Sequence, residues 1–399
     1  VSAFEPFHGI RYDTARVSLA QVVAPPYDVV SESRRAALAA THSCSVVVVD
    51  MPRGAEGSDP YAAAAATFEG WLGDGTLTVD PEPSLYIYRM DYLDELGAAA
   101  HTVGVIGSLE LRRPDEGKVL PHEHTTPKAK TDRLQLLRAT GTNLSPIWGL
   151  SPTGGLTTLL HDDGLTPVGE WTASDGTRHR VWRVTDRDRL AAIGAAVDAS
   201  PVLIADGHHR YETSLQHRDE QRAANDGRPG PYDRVMAFVV ELDPRELHVL
   251  PIHRLIAGLP DDLDLPAAFA RSFVVRADDG PLETLPARMV QHGSLALVTG
   301  QGRWLLEPRA EAMVGVRDLD SSRLDRALEA LPPHELRYQH GVEHIADAVR
   351  DGEADAGVLL RPVPLPQIEA IAHGGERMPP KSTYFHPKPS TGAVFMRVR

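Results

Sequence analysis

The sequence predicts an α+β fold, mixed α/β in its elements but without a clean doubly wound sheet. Three observations carry this. Two pairs of apolar runs, 85–92 with 102–111 and 294–299 with 303–307, are each joined by a short polar or glycine-rich stretch and read as hairpins. One apolar strand, 201–206, runs straight into a helical pattern that continues to about Ala224. No internal repeat interrupts this mixture. A chain of 399 residues suggests two or three domains. The expected regions are 1–150, 151–256 and 257–399, unless they form one intertwined unit.

The elements follow in order. Pro25-Pro26-Tyr27-Asp28 is a rigid extended segment, because each proline fixes its own φ and restrains the residue before it. Cys44 to Val49 reads as a buried strand that stops at Asp50. Asp59 caps a helix with Pro60 at its first position. Its apolar side carries Tyr61, Ala65, Phe68 and Leu72, and Gly73 and Gly75 end it. The first hairpin leads through Gly117 into Pro121-His122-Glu123-His124-Thr125. Thr131 or Asp132 caps a short helix over 133–139. Residues 151–178 are rich in Gly, Thr, Ser and Asp and read as a connector. Strand 180–184, helix 186–197, strand 201–206 and the helix to Ala224 come next, stopped by Asn225-Asp226-Gly227. Strands 235–242 and 248–251 follow, then helices at 321–331 and 342–350, a strand at 356–361 and a helix at 365–372.

Composition narrows the function. Apolar residues make up 42% and charged residues 24%, as in folded globular proteins. The formal charge of 41 − 55 = −14 argues against a general binder of nucleic acid or anionic membrane, since both need a positive field. One cysteine, Cys44, excludes an internal disulfide and a cysteine-built metal cage. No apolar signal-like region lies near the start and no apolar run reaches membrane-span length, so a cytoplasmic location is expected.

The chemistry concentrates at Asp206-Gly207-His208-His209-Arg210. A strand-to-helix transition offers free backbone N–H groups and the positive end of a helix dipole, which suit an anion. Gly207 lets the backbone approach a phosphate, and Arg210 adds a fork of donors. His208 and His209 suit hydrogen bonding to phosphate or proton transfer. Asp206 suits Mg²⁺ or activation of a hydroxyl. An ordinary Asp-Gly turn is the plainer alternative. His208 and Glu212 have the i,i+4 spacing of zinc ligands, but no H-E-x-x-H pattern supports zinc. Glu123 is a second candidate base or Mg²⁺ ligand, with Lys128, Lys130, Arg133 and Arg138 just beyond it. Lys381-Ser382-Thr383 and Lys388 combine cations and hydroxyls as phosphate loops do, without Walker A glycine spacing.

Several segments together resemble the family catalogued as domain-of-unknown-function family 1015. They are Phe7-His8-Gly9-Ile10-Arg11-Tyr12, Val23 to Val29, Leu120 to Thr125, Lys130 to Leu134, Asn143 to Ile147, Ala205 to Tyr211 and Met378 to Thr383. The five residues Asp206 to Arg210 are also similar to a helix-opening motif of the ParB/sulfiredoxin-like fold, whose members include free serine kinases. That resemblance implies a ParB/sulfiredoxin-like nucleotide-binding core with large additional α/β elements, and Glu123 as the upstream acidic residue.

The combined expectation is a kinase that uses ATP or ADP with Mg²⁺ to phosphorylate a small hydroxylated metabolite, free L-serine or a serine-like amino acid first. Glu123, Asp206, His208 and His209 are its catalytic candidates, with Asp206 and Glu123 holding the metal. Gly207, Arg210, Lys130, Arg133, Lys381, Ser382, Thr383 and Lys388 are its candidate phosphate contacts. The alternatives are a ParB-like nucleotide-binding regulator and a phosphoester hydrolase. No membrane or nucleic-acid partner is expected, and a homo-oligomer is allowed.

Overall fold

The computed structural model describes residues 3–54, 57–94, 97–123, 127–379 and 381–399, with the backbone alone over 127–130. The chain forms two units. The first comprises 1–248, 371–377 and 387–399, and the second comprises 249–370 and 378–386.

The first unit is built on a nine-stranded mixed sheet. Its strands are β1 (Phe4–Glu5), β2 (Leu85–Leu93), β3 (Ala99–Glu110), β4 (Val119–Pro121), β5 (Ile147–Ser151), β6 (Gly169–Thr172), β7 (Arg178–Val184), β8 (Val202–Asp206) and β9 (Arg234–Glu241). The order is β4-β8-β5-β9-β3-β2-β7-β6, with β1 pairing beside β3. The expected first hairpin is β2–β3, in antiparallel register with Tyr86 opposite Ile106. Strand β8 runs parallel to β4 and antiparallel to β5. Its residues Val202 to Ala205 are all buried, as a strand covered on both faces requires. The β8–β5 register shifts between Ile204 and Asp206, and such an irregularity re-aims the last side chain of a strand.

Strands 1–150 and 151–256 alternate within this one sheet, so the expected division at 150/151 does not separate compact bodies. The stretch 151–178 instead supplies β6 and the approach to β7. The core on one side joins Leu85, Ile87, Val105, Ile147, Ile204 and Val239. Elsewhere in the sheet, Phe238 packs on Tyr88 and Trp148 with ring centroids 5.5 and 5.6 Å away.

Four helices matter to the site: α1 (Val47–Asp50), α2 (Pro60–Gly73), α3 (Pro127–Thr140) and α4 (His208–Ala224). The expected strand Cys44–Val49 is a correction, because α1 occupies its end. A short apolar run fits a buried helix turn as well as a strand, and here it packs on α2. In α2, Asp59 accepts from the Tyr61 and Ala62 amides at 2.9 and 3.2 Å, as expected of its cap. The buried face is Ala64, Phe68 and Trp71, turned from the expected stripe because Trp71 packs on Tyr12. Helix α3 starts at Pro127, ahead of the expected 133, and the Asp132 carboxylate serves Tyr61 and Arg133. The final residues return to the first unit, where Thr391 bridges Ala24, Phe395 bridges Ile10 and Met396 pairs with Asn143.

The second unit has an antiparallel six-stranded sheet in the order Phe273–Ala277, Gly302–Pro308, Leu295–Thr299, Ala356–Leu359, His253–Ala257, Glu335–Gln339. Two apolar clusters, one around Phe273 and Leu324 and one around Leu285 and Ile345, pack against it. Among the described residues no helix is long and apolar enough to cross a membrane.

Candidate functional site

Asp206 ends β8 and Gly207 turns the chain into α4. Gly207 has φ +90°, a conformation that L side chains rarely adopt. A second constraint acts there, because a Cβ on residue 207 would lie 3.0–3.1 Å from the Arg210 guanidinium. The first N–H groups of α4 lack partners within the helix, as at any helix start.

Arg210 folds back over this turn. Its Nη2 donates to Asp206 Oδ2 at 2.7 Å, and its Nη1 donates to Ser145 Oγ at 2.9 Å and to the Pro146 carbonyl. Among the described residues its buried Nε has no hydrogen-bond acceptor. The other Asp206 oxygen accepts from Lys388 Nζ at 2.6 Å, and the same ammonium donates to Asp28 Oδ2 at 2.8 Å. The Lys388 side chain is only 7% exposed. Burial alone would lower its pKa, but Asp206 and Asp28 outweigh burial and hold it above the usual lysine value.

A second ion cluster adjoins. Arg133 Nη1 donates to Asp50 Oδ1 at 2.9 Å, its Nη2 donates to Asp132 Oδ2 at 2.6 Å, and its guanidinium lies 4.2 Å from the centre of the Tyr27 ring. Burial and the nearby Asp28 push the Tyr27 phenol up to about 12. Burial also raises the Asp50 carboxyl, while Arg133 and Arg210 oppose that rise.

The two histidines that flank the turn are buried. The His122 amide donates to His208 Nε2 at 3.3 Å, and His122 Nδ1 donates to the Ile204 carbonyl at 2.5 Å. The rings meet edge to face, with centroids 4.7 Å apart. Burial lowers the His122 pKa to about 4, against the Ile204 hydrogen bond and Asp206. Burial, aided by His122, His209, Arg377 and Arg210, holds His208 well below its usual value. His208 therefore stays neutral and serves as an acceptor that ties the end of β4 to the start of α4.

The structure thus gathers Asp206, Gly207, His208, Arg210, Arg133 and Lys388 into one neighbourhood of the first unit. His209 lies half-buried in the same first helical turn, and its carbonyl accepts from Thr213. Glu123 is half-buried and follows His122 directly. The side chain of Lys130 lies outside the described residues, as do those of Lys128 and His124. Lys381, Ser382 and Thr383 belong to the second unit. There the Lys381 carbonyl accepts from Arg254 Nη2 at 3.1 Å, and Ser382 Oγ donates to the Pro379 carbonyl at 2.8 Å.

Asp50, Tyr27, Ser145 and His122 were not among the candidate site residues, although Tyr27, His122 and Ser145 lie in segments that carry the family resemblance. The signal for Asp50 was its place as the one charge closing an apolar run. Among the described residues no group of three or more His, Cys, Asp or Glu side chains could hold a metal. A magnesium ion at Asp206 would have to replace the Lys388 ammonium, with phosphate oxygens supplying its remaining ligands.

The fold and site define an α+β protein whose ionisable groups gather where a strand-end carboxylate meets a helix N-terminus and two cations. The chain belongs to the protein family of unknown function DUF1015, whose family model matches residues 4–325. No curated protein matches it. Among solved structures, a free serine kinase in complex with AMP is 16% identical, covering 70% of this chain and 86% of that one with a TM-score of 0.40. A variant of a free serine kinase in complex with ADP gives the same four values. C-terminally truncated SbnI from Staphylococcus aureus is 12% identical, covering 72% and 85% with a TM-score of 0.39.

Proposed function

We propose that the protein is a nucleotide-dependent kinase that phosphorylates the hydroxyl of a small metabolite, free L-serine or a serine-like amino acid first. The observation that carries the reading is the buried, unpaired Arg210 Nε at the opening of α4. Buried donors are almost always satisfied, so an orphan at a helix N-terminus suits an anionic ligand. The resemblance of Asp206 to Arg210 to the helix-opening motif of free serine kinases supports the same reading.

In this reading Gly207, His209 and Arg210 hold the phosphates of ATP or ADP. Lys388, once displaced from Asp206, would neutralise phosphate charge. Mg²⁺ would bind together with the nucleotide, held by Asp206 in place of the Lys388 ammonium and by Glu123. His208 holds the turn in place through the His122 amide. Catalysis is then positioning and charge neutralisation of a transferring phosphoryl group.

The experiment incubates the protein with ATP or ADP, Mg²⁺ and a panel of hydroxy amino acids. A phosphoester that appears only with acceptor supports the kinase. Nucleotide loss without acceptor points to a hydrolase, and binding without turnover points to a regulator.

A further inference from the structure

We propose that Asp50 is the general base of this transfer, and that the small cavity beside Arg210 admits the hydroxymethyl end of the acceptor. The assignment rests on the kinase reading above.

The cavity has a volume of about 50 Å³ and is lined by Asp50, Ser145, Arg210 and Ser214, with Leu137 and Val235 among its apolar walls. A water-sized group needs roughly 10–15 Å³ by this measure, so about four non-hydrogen atoms fit. A carbinol end of an unbranched acceptor meets that limit. One guanidinium joins this cavity to the strand-end turn, because Arg210 reaches Ser145 with Nη1 and Asp206 with Nη2. A hydroxyl in the cavity and a phosphate at the turn would therefore both contact the same guanidinium.

Asp50 is the carboxylate placed to take a proton there. It is 4% exposed. Arg133 Nη1 holds Oδ1 at 2.9 Å, and no other hydrogen bond reaches the carboxylate among the described residues. Asp206, in contrast, already gives both oxygens to cations, Lys388 and Arg210. Arg133 is in turn fixed by Asp132 and Tyr27, so the direction of the Asp50 carboxylate is fixed as well. Burial makes Asp50 more avid for a proton than a solvated aspartate, which suits a base.

The step balances. The acceptor O–H proton passes to an Asp50 oxygen while the acceptor oxygen bonds to the terminal phosphorus of the nucleotide. The bond from that phosphorus to its bridging oxygen breaks, and the electron pair leaves on the shortened nucleotide. Asp50 then returns its proton to solvent.

The test compares wild type, Asp50→Asn and Glu123→Gln. Nucleotide binding is measured by titration with ADP and ATP, and phosphoester formation is measured with L-serine, L-homoserine and glycerol. We expect Asp50→Asn to lower kcat by about 10²–10⁴-fold with nucleotide affinity unchanged, the range for loss of a general base. Should Asp50→Asn fail to fold, Ser214→Leu fills the same cavity. It is expected to raise KM for the acceptor at least tenfold and leave nucleotide affinity alone. Product formed at an undiminished rate by Asp50→Asn, or by Ser214→Leu in its place, overturns the assignment and leaves the kinase standing. Loss of kcat in Glu123→Gln without loss in Asp50→Asn does the same. Nucleotide bound by wild type with no phosphoester from any acceptor overturns the kinase and the assignment together, as does failure to bind nucleotide at all.

Discussion

Lys388, itself buried, bridges two partly exposed carboxylates from distant parts of the chain, Asp28 and Asp206. Removing the ammonium leaves two like charges with one partner fewer, where water reaches them only in part. Losing a hydrogen bond to a charged group typically costs about 1.5–3 kcal/mol. Lys388→Met is therefore expected to lose stability of that order, read by equilibrium urea unfolding. A loss below about 1 kcal/mol would mean that the three groups are not held as described. Sequence alone pointed to Lys388 as a phosphate contact and to Asp28 as the end of a rigid segment. It could not show that they meet, because 360 positions separate them. The same limit hid Asp50, whose partner Arg133 lies 83 positions away.

At the scale of elements, the His122–His208 contact couples β4 to α4. Both rings are buried and neutral, which gives the coupling a pH dependence. The folded His122 pKa of about 4 lies below its ordinary value of 6.5. The unfolded chain therefore takes up the proton first as pH falls. Stability from this group is full above pH 6.5 and declines between 6.5 and 4, by roughly 3 kcal/mol in all at 1.36 kcal/mol per pH unit. His122→Gln is expected to flatten that part of the stability profile, and an unchanged slope would contradict the burial of His122. Local elements were the most legible part of the sequence. The β2–β3 hairpin, the Asp59 cap and the β8-to-α4 transition all follow from period, turn chemistry and capping residues. The helix at Val47–Asp50 did not, because a short apolar run takes its conformation from what it packs against, here α2. The early start of α3 at Pro127 was missed for a related reason. Asp132 has the chemistry of a cap but spends its carboxylate on Arg133 and Tyr61.

At the scale of the molecule, the first unit is completed only by the last residues of the chain. Residues 387–399 bring Lys388 to Asp206, Phe395 to the Tyr12 and Phe68 rings, and Met396 to Asn143. The DUF1015 match ends at residue 325, so this closing segment lies beyond it. Deleting 387–399 is expected to abolish the cooperative unfolding transition of the first unit, followed by circular dichroism. A truncated chain that unfolds like the full one would show that the segment is dispensable. The division into units could not be read from sequence, since 371–377 and 387–399 rejoin the first unit only after the second has been built.

In the kinase reading, the opening of α4 holds the phosphates of a nucleotide through Arg210. The most direct measurement is an equilibrium titration of ADP into the wild-type protein and into Arg210→Lys, which keeps the charge but loses the planar fork of donors. Wild type is expected to bind saturably and the variant about 10–100-fold more weakly, as for loss of a hydrogen bond to a charged group. Equal affinity in the two proteins, or no binding by wild type to ADP, would contradict that reading.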